Sequence, residues 1–222
     1  MPKDIILLVD FDGTLACTLH LGECVRLAFA EQGFEVEDNF VEKFHGNNFS
    51  AFVTEYYPNL DVDSFKKSVT LHETQKNNGL YEGVLDMLLC WKNLPIRLCL
   101  FTARDECSVE SRLDNHGIRH FFDVVCTSDH YYPLGKSDVG SMEMMLGYYR
   151  ERNIDGTFWY VGDSYIDFLS AKNNGIGNTF FRAVVHGDVT RRDELINSGV
   201  PEELIINHPS EMTLIMFPEL QR

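Results

Sequence analysis

Residues 5–14 read Ile5-Ile6-Leu7-Leu8-Val9-Asp10-Phe11-Asp12-Gly13-Thr14. The five apolar residues are rich in β-branched side chains and unbroken by a polar one, the pattern of a central parallel strand buried on both faces. The run is far too short to cross a membrane. It breaks at once into two carboxylates and a glycine turn. Ligands of open α/β sheets bind beyond the C-terminal ends of the strands, and Asp10 and Asp12 stand at that edge.

Similar short apolar runs recur at residues 96–100, 124–126, 158–161 and 179–181. Stretches of helical periodicity alternate with them. Val84, Leu85, Leu88 and Leu89 fit one helix face, and Val139, Met142, Leu146 and Tyr149 fit another, with Ser137 as its N-cap. The alternation predicts an α/β fold, a parallel sheet flanked by helices. In the tail, residues 204–206 suit an edge strand and residues 210–217 a last helix.

The spacing of these units predicts an insertion. A βαβ step takes about 30 residues. From Thr102 to Asp163, at strand ends two units apart, is 61 residues, as expected, but from Asp12 to Thr102, where one unit should lie, is 90. Roughly 60 residues are surplus to the sheet. They carry helical patterns: Leu21, Cys24, Val25, Ala28 and Phe29 share one face and Gly33 follows as a stop. Phe49, Phe52, Val53, Tyr56 and Tyr57 repeat that spacing between Asn47-Asn48 and Pro58. A third helix starts near Asp61 and turns Val62, Phe65 and Val69 inward. We expect residues 16–80 to form a helical cap and residues 1–15 with 81–222 the sheet core.

Composition narrows the function. The chain has 222 residues, 44% hydrophobic and 24% charged, ample for a core without disulfides or structural metals. Its net charge of −15 is the wrong sign for nucleic acid or an anionic membrane surface. Cys17, Cys24, Cys90, Cys99, Cys107 and Cys126 show no zinc spacing and read as reduced core thiols. With no signal peptide or transmembrane run at the start, a cytoplasmic protein is expected.

The second acidic cluster, Gly162-Asp163-Ser164-Tyr165-Ile166-Asp167, follows the run at 158–161. If that strand neighbours the first, three or four carboxylates converge, and like charges so close need a cation to stay ionised. A hard divalent metal such as Mg2+ fits oxygen donors. Thr102, with Ala103 and Arg104 after it, supplies a hydroxyl and backbone N–H donors, and Lys136 supplies an ammonium. Carboxylates, metal, hydroxyl and lysine together describe a phosphoryl-transfer site.

In this order, the residues resemble the haloacid-dehalogenase-like hydrolase superfamily, phosphatase branch, with a cap between the first and second motifs. Asp10-Phe11-Asp12-Gly13-Thr14-Leu15 matches the first motif, Thr102 the second, Lys136 the third, and Gly162-Asp163-Ser164 with Asp167 the fourth. The resemblance spans nearly the whole chain and implies a Rossmann-like core. It implies that Asp10 is the nucleophile and Asp12 the general acid and base. Mg2+ would lie on Asp10, Asp12, Asp163 and Asp167, with Thr102 and Lys136 holding the phosphoryl oxygens. In the cap, His45 and Asn47 lie where the family's specificity loop lies, and with Ala103 and Arg104 they are candidates for substrate contact. Ser137 replaces the proline that often follows the family's lysine, a change expected to loosen that loop.

The function implied is Mg2+-dependent hydrolysis of a small phosphorylated metabolite, phosphoglycolate-like or a sugar phosphate. A phosphomutase would share every motif, and a bisphosphate-activated isomerisation assay separates the two. A phosphonatase would need a cap lysine, and Lys43, Lys66 and Lys67 read as surface charges. A non-catalytic phosphate-binding module is a further alternative, opposed by the intact Asp10, Asp12, Lys136 and Asp163. Monomer and homodimer both stay open.

Overall fold

The computed structural model describes residues 4–37, 48–76 and 79–221. Six parallel strands form one sheet: β1 (Asp4–Val9), β2 (Ile96–Phe101), β3 (Val124–Cys126), β4 (Gly156–Gly162), β5 (Phe181–Val184) and β6 (Ile205–Ile206). Their order is β3-β2-β1-β4-β5-β6. The chain builds outward from β1 to one edge, then returns to its other side, so β1 and β4 are direct neighbours with Val9 opposite Val161. Strand β6 is the edge that residues 204–206 suggested.

The unbroken apolar run of β1 follows from burial on both faces. Ile6 and Leu8 join one core cluster with Phe101, Tyr160 and Phe181, while Leu7 and Val9 join the opposite one with Leu100, Val161 and Trp91. The first cluster is covered by α7 (Glu143–Glu151), α8 (Tyr165–Asn173) and α9 (Val189–Ser198), the second by α4 (Val84–Trp91), α5 (Glu106–Asn115) and α10 (Glu211–Met216). This is a Rossmann-like α/β sandwich.

Between β1 and α4 come α1 (Leu21–Glu31), α2 (Phe49–Tyr56) and α3 (Val62–Gln75). Each turns most of its anticipated face inward, but Tyr56 of α2 is 62% exposed, because the chain leaves the helix at Tyr57 and it is Tyr57 that packs on Phe29. Asn48 caps α2 by accepting from the Ala51 N–H (2.9 Å), and Asp61 caps α3 through the Ser64 N–H (3.1 Å). The three helices enclose an apolar cluster of their own, in which Phe29 and Phe65 pack with ring centroids 4.6 Å apart. An antiparallel bridge between Ala16 and Leu80 brings the two ends of the segment together.

Several expectations shift. Helix α4 buries Val84, Met87, Leu88 and Trp91, whereas Leu85 and Leu89 are 46% and 48% exposed. The buried face is rotated because Trp91 anchors the helix end, its indole N–H donating to Thr213 Oγ1 (2.8 Å) from α10. Helix α7 begins six residues after Ser137, since Gly140 at φ +92° interrupts any earlier helix, and Val139 is 75% exposed. Residues 178–180 make a 3-10 turn, which delays β5 to Phe181. All six cysteines are free, but only Cys24, Cys99 and Cys126 are core thiols; Cys17 is half-buried and Cys90 and Cys107 are exposed. Among the described residues no helix is long and apolar enough to cross a membrane.

Candidate active site

Parallel strands place all their C-terminal ends on one edge, so the loops after β1, β2 and β4 meet. Asp10 leaves β1 and its N–H donates to the Val161 carbonyl of β4 (2.9 Å), which sets it beside Asp163. Gly13, at φ +74°, lets the β1 loop fold under Asp163, because a Cβ there would overlap that carboxylate. Asp10, Asp163 and Asp167 are buried and bring one oxygen each within 4.8 Å of one another.

Lys136 enters this cluster from the loop after α6 (Ser128–Tyr131). Its ammonium contacts Asp10 Oδ1 and lies 2.8 Å from Asp167 Oδ1. The loop is not loosened by Ser137. Ser141 and Ser170 hydroxyls both donate to the Lys136 carbonyl (2.7 Å each), and the Asn173 and Asn174 side-chain amides donate to the carbonyls of Ser137 (2.8 Å) and Asp138 (3.1 Å). Four polar side chains thus do what a proline would otherwise do through φ restriction.

Electrostatics divide the carboxylates. Burial pushes the Asp10 carboxyl up to about 7; Lys136 pulls it down, and Asp167 and Asp12 add to the rise. Asp167 is equally buried, but Lys136 and hydrogen bonds from Ser164 and Tyr160 outweigh that and hold it below the ordinary carboxylate range. Burial disfavours the Lys136 ammonium, yet Asp10 and Asp167 keep it charged and raise its pKa. Arg191 of α9 contacts Asp163 Oδ2, and its Nε donates to the Asp163 carbonyl (3.3 Å). Two cations thus face three buried carboxylates, a deficit of one positive charge, while the rise of the Asp10 pKa comes first from its burial.

That deficit and the all-oxygen donor set suit a hard divalent cation. Asp167 fits direct ligation less well than Asp10 and Asp163. Its oxygens accept from Tyr160 Oη (2.6 Å), Lys136 Nζ (2.8 Å), the N–H groups of Asp163 (3.1 Å) and Ser164 (3.0 Å), and Ser164 Oγ (2.6 Å). A carboxylate offers about four acceptor sites, so these five contacts use its capacity to fix the β4 loop.

Asp167 also explains Gly162. A Cβ at Gly162 would lie 2.6 Å from Asp167 Oδ2, and Asp167 is held too firmly to yield. Gly162→Ala should therefore overpack the site by about 1–3 kcal/mol. Thermal unfolding followed by circular dichroism should show a Tm lower by about 2–12 °C. An unchanged Tm would mean that the β4 loop can move.

The remaining candidates separate. Thr102 is fully buried and its hydroxyl oxygen accepts the Arg104 N–H (3.2 Å), while Ala103 and Arg104 line a cavity of about 540 Å³ above the carboxylates. Arg104 is not a free substrate ligand. Its Nε donates to both Asp12 oxygens (2.9 and 2.7 Å), and its other nitrogens donate to Glu73 and Ser108. Burial opposes its charge, but Asp12 and Glu73 outweigh burial and raise its pKa. His45, Asn47 and Lys43 lie outside the described residues. Lys67 is exposed, but Lys66 lines the cavity 3.5 Å from Asp105 and is not a plain surface charge.

Leu21, Val25, Phe65 and Val69 supply apolar lining to the cavity. Arg26, Asp105 and Arg191, which line the cavity, and Glu73 and Arg112 beside it escaped the sequence reading. Arg191 has no local signal, being set in a polar helix. Glu73 has one: it follows Phe65 and Val69 at steps of four on the inward face of α3, where an unpaired carboxylate would be costly.

Comparison with known proteins places the chain in a family and supports its fold. Residues 7–181 match the family described as haloacid dehalogenase-like hydrolase. A comparison with curated proteins finds no match. Among solved structures, a predicted phosphatase from Clostridium acetobutylicum is similar at 20% identity and a TM-score of 0.65, covering 97% of this chain and 99% of that one. A predicted phosphoglycolate phosphatase from Haemophilus somnus is 18% identical with a TM-score of 0.66, covering 95% and 97%. CbbY from Rhodobacter sphaeroides in complex with phosphate is 19% identical with a TM-score of 0.63, covering 82% and 85%. These likenesses support the fold, and with a family match over most of its length the chain belongs to the haloacid dehalogenase-like hydrolases.

Proposed function

We propose that the protein is a Mg2+-dependent phosphatase acting on a small phosphorylated metabolite, phosphoglycolate-like or a sugar phosphate. The observation that carries this reading is the buried contact of Lys136 with Asp10 at the floor of a cavity that Asp12 also lines. That contact aims a carboxylate at the cavity while an ammonium offsets its charge.

In the first step an Asp10 oxygen bonds to phosphorus as the bond from phosphorus to the ester oxygen breaks. Asp12 gives its proton to that leaving oxygen, releasing the alcohol. In the second step Asp12 takes a proton from water, whose oxygen bonds to phosphorus, and the aspartyl-phosphate bond breaks. Phosphate leaves and both carboxyl groups are restored. Lys136 supports the charge on Asp10 throughout, and Lys136 and Thr102 hold the phosphoryl oxygens, the Thr102 hydroxyl oxygen also accepting the Arg104 N–H at the β2 turn. Asp10 and Asp163, with the Asp12 carbonyl, would hold Mg2+, and Asp167 supports them through the β4 loop. The ion supplies Lewis-acid stabilisation of the phosphoryl oxygens.

On this reading residues 16–80 form the cap that selects the substrate, and residues 1–15 with 81–222 the core. A volume of about 540 Å³ suits a metabolite-sized ligand. The Rhodobacter sphaeroides protein has been captured with phosphate and with xylulose-(1,5)bisphosphate, which supports a sugar phosphate here. Six free thiols suit a cytoplasmic setting.

The test is p-nitrophenyl phosphate hydrolysis with and without metal. Removal of Mg2+ by a chelator should lower turnover about 100-fold or more, since such stabilisation is worth several kcal/mol. Adding Mg2+ at about 100 times its Kd should stabilise the fold by about 2.7 kcal/mol, a Tm rise of about 5–11 °C. Undiminished turnover in chelator would overturn the reading.

A further inference from the structure

Glu73 is a buried carboxylate contributed by α3, 3% exposed, and it meets two guanidinium groups from the sheet core, those of Arg104 and Arg112. Arg104 donates to it through Nη2 (2.8 Å) and Nη1 (3.2 Å), and Arg112 Nη1 lies 2.8 Å away. The Nε–H of the same Arg104 guanidinium donates to Asp12. A guanidinium is planar, with its five N–H groups in a fixed fork. Whatever holds its Nη edge therefore also sets where its Nε–H points. We infer that Glu73 and Arg104 are positioning residues for Asp12: Glu73 orients the Arg104 plane, and Arg104 orients the carboxylate that exchanges protons with the leaving group and with water.

This inference rests on the phosphatase reading above and adds a residue from the inserted helices to its machinery. It gives the helical segment a direct hold on the proton-transfer step, in addition to its share of the cavity wall. Glu73 is not the sole tie between α1–α3 and the core. Asn48 Nδ2 donates to Ser128 Oγ (3.0 Å) and Asp129 Oδ1 (2.8 Å) across the same junction. Glu73→Gln, which keeps the side-chain volume, should therefore leave the segment docked while loosening Arg104.

A purely structural role and a positioning role differ in leaving-group dependence. p-Nitrophenolate departs readily without a proton, whereas the more basic phenolate of phenyl phosphate needs one. The ratio of kcat/KM for p-nitrophenyl phosphate to that for phenyl phosphate thus reports how well Asp12 delivers its proton. The experiment measures this ratio with Mg2+ for the unsubstituted protein, Glu73→Gln and Arg104→Lys, alongside thermal unfolding. Lysine keeps the charge but cannot fork between Asp12 and Glu73.

Both variants should raise the ratio about tenfold, within the range over which a positioned acid acts. An unchanged ratio in folded variants, an equal loss on both esters, a faster reaction, or failure of both variants to fold would each overturn the role assigned to Glu73. Should only Glu73→Gln fail to fold, Arg104→Lys decides. Absence of Mg2+-dependent phosphate release from the unsubstituted protein would overturn the phosphatase reading itself, and the two failures are thereby distinguished.

Discussion

Asp10→Asn is expected to abolish Mg2+-dependent phosphate release, with a loss on the order of 10⁴-fold or more, as removal of a covalent nucleophile entails. Asparagine keeps the shape of the buried side chain, and Thr14 Oγ1, 3.5 Å from Asp10 Oδ2, still has a neighbour. What vanishes is the anionic oxygen that attacks phosphorus in the proposed mechanism. Phosphate release from p-nitrophenyl phosphate and acetyl phosphate measures the loss, and a variant that kept even a tenth of the activity would remove Asp10 from the mechanism. The same substitution has a signature in stability. With its pKa raised by burial to about 7, metal-free Asp10 binds more proton folded than unfolded between pH 3.8 and 7. Its contribution to stability is therefore fullest at low pH and is lost as pH rises through that window. Asp10→Asn should lack this component, so the difference in Tm between the variant and the metal-free protein should move in the variant's favour from pH 4 to pH 7.

Asp12→Asn should lower kcat/KM for phenyl phosphate by about 10²–10⁴-fold, the usual range for a positioned acid or base. For p-nitrophenyl phosphate the loss in the first step should be smaller, because that leaving group needs little help. The second step would still lack its base. The variant should therefore release one equivalent of p-nitrophenolate in a rapid burst and then turn over slowly, with one phosphoryl group retained on the protein by mass spectrometry. Steady turnover without a burst, or no reaction at all with the activated ester, would assign Asp12 a different role. The structure makes the roles separable: Asp10 is buried against Lys136, whereas Asp12 is partly open to the cavity and paired with Arg104.

Much of the fold is legible where the signal is local. The continuous apolar run at residues 5–9 can be satisfied only by burial on both faces, and its termination on Asp10 locates the functional edge. The excess of residues between Asp12 and Thr102 likewise pointed to an insertion, and three helices with a separate apolar cluster occupy the described part of it. Where two faces of one helix carry similar residues, periodicity does not decide. In α4 the choice of Met87 and Trp91 over Leu85 and Leu89 depends on Thr213, which is 122 positions away from Trp91.

The same distinction runs through the site. Asp10, Asp12, Lys136, Asp163 and Asp167 could be picked out from the sequence because each follows a recognisable strand or sits at a characteristic interval. By itself the sequence thus singled out the groups that gather at this site and the edge of the sheet on which they stand. It did not determine their partners. Arg104 pairs with Asp12 across 92 residues and with Glu73 across 31, and Arg191 reaches Asp163 from another helix. Ion pairing depends on distance through space and on exclusion of water, and neither exists until the helices close over the sheet. Only the tertiary structure could therefore turn Arg104 from a candidate substrate ligand into the link between α3 and Asp12.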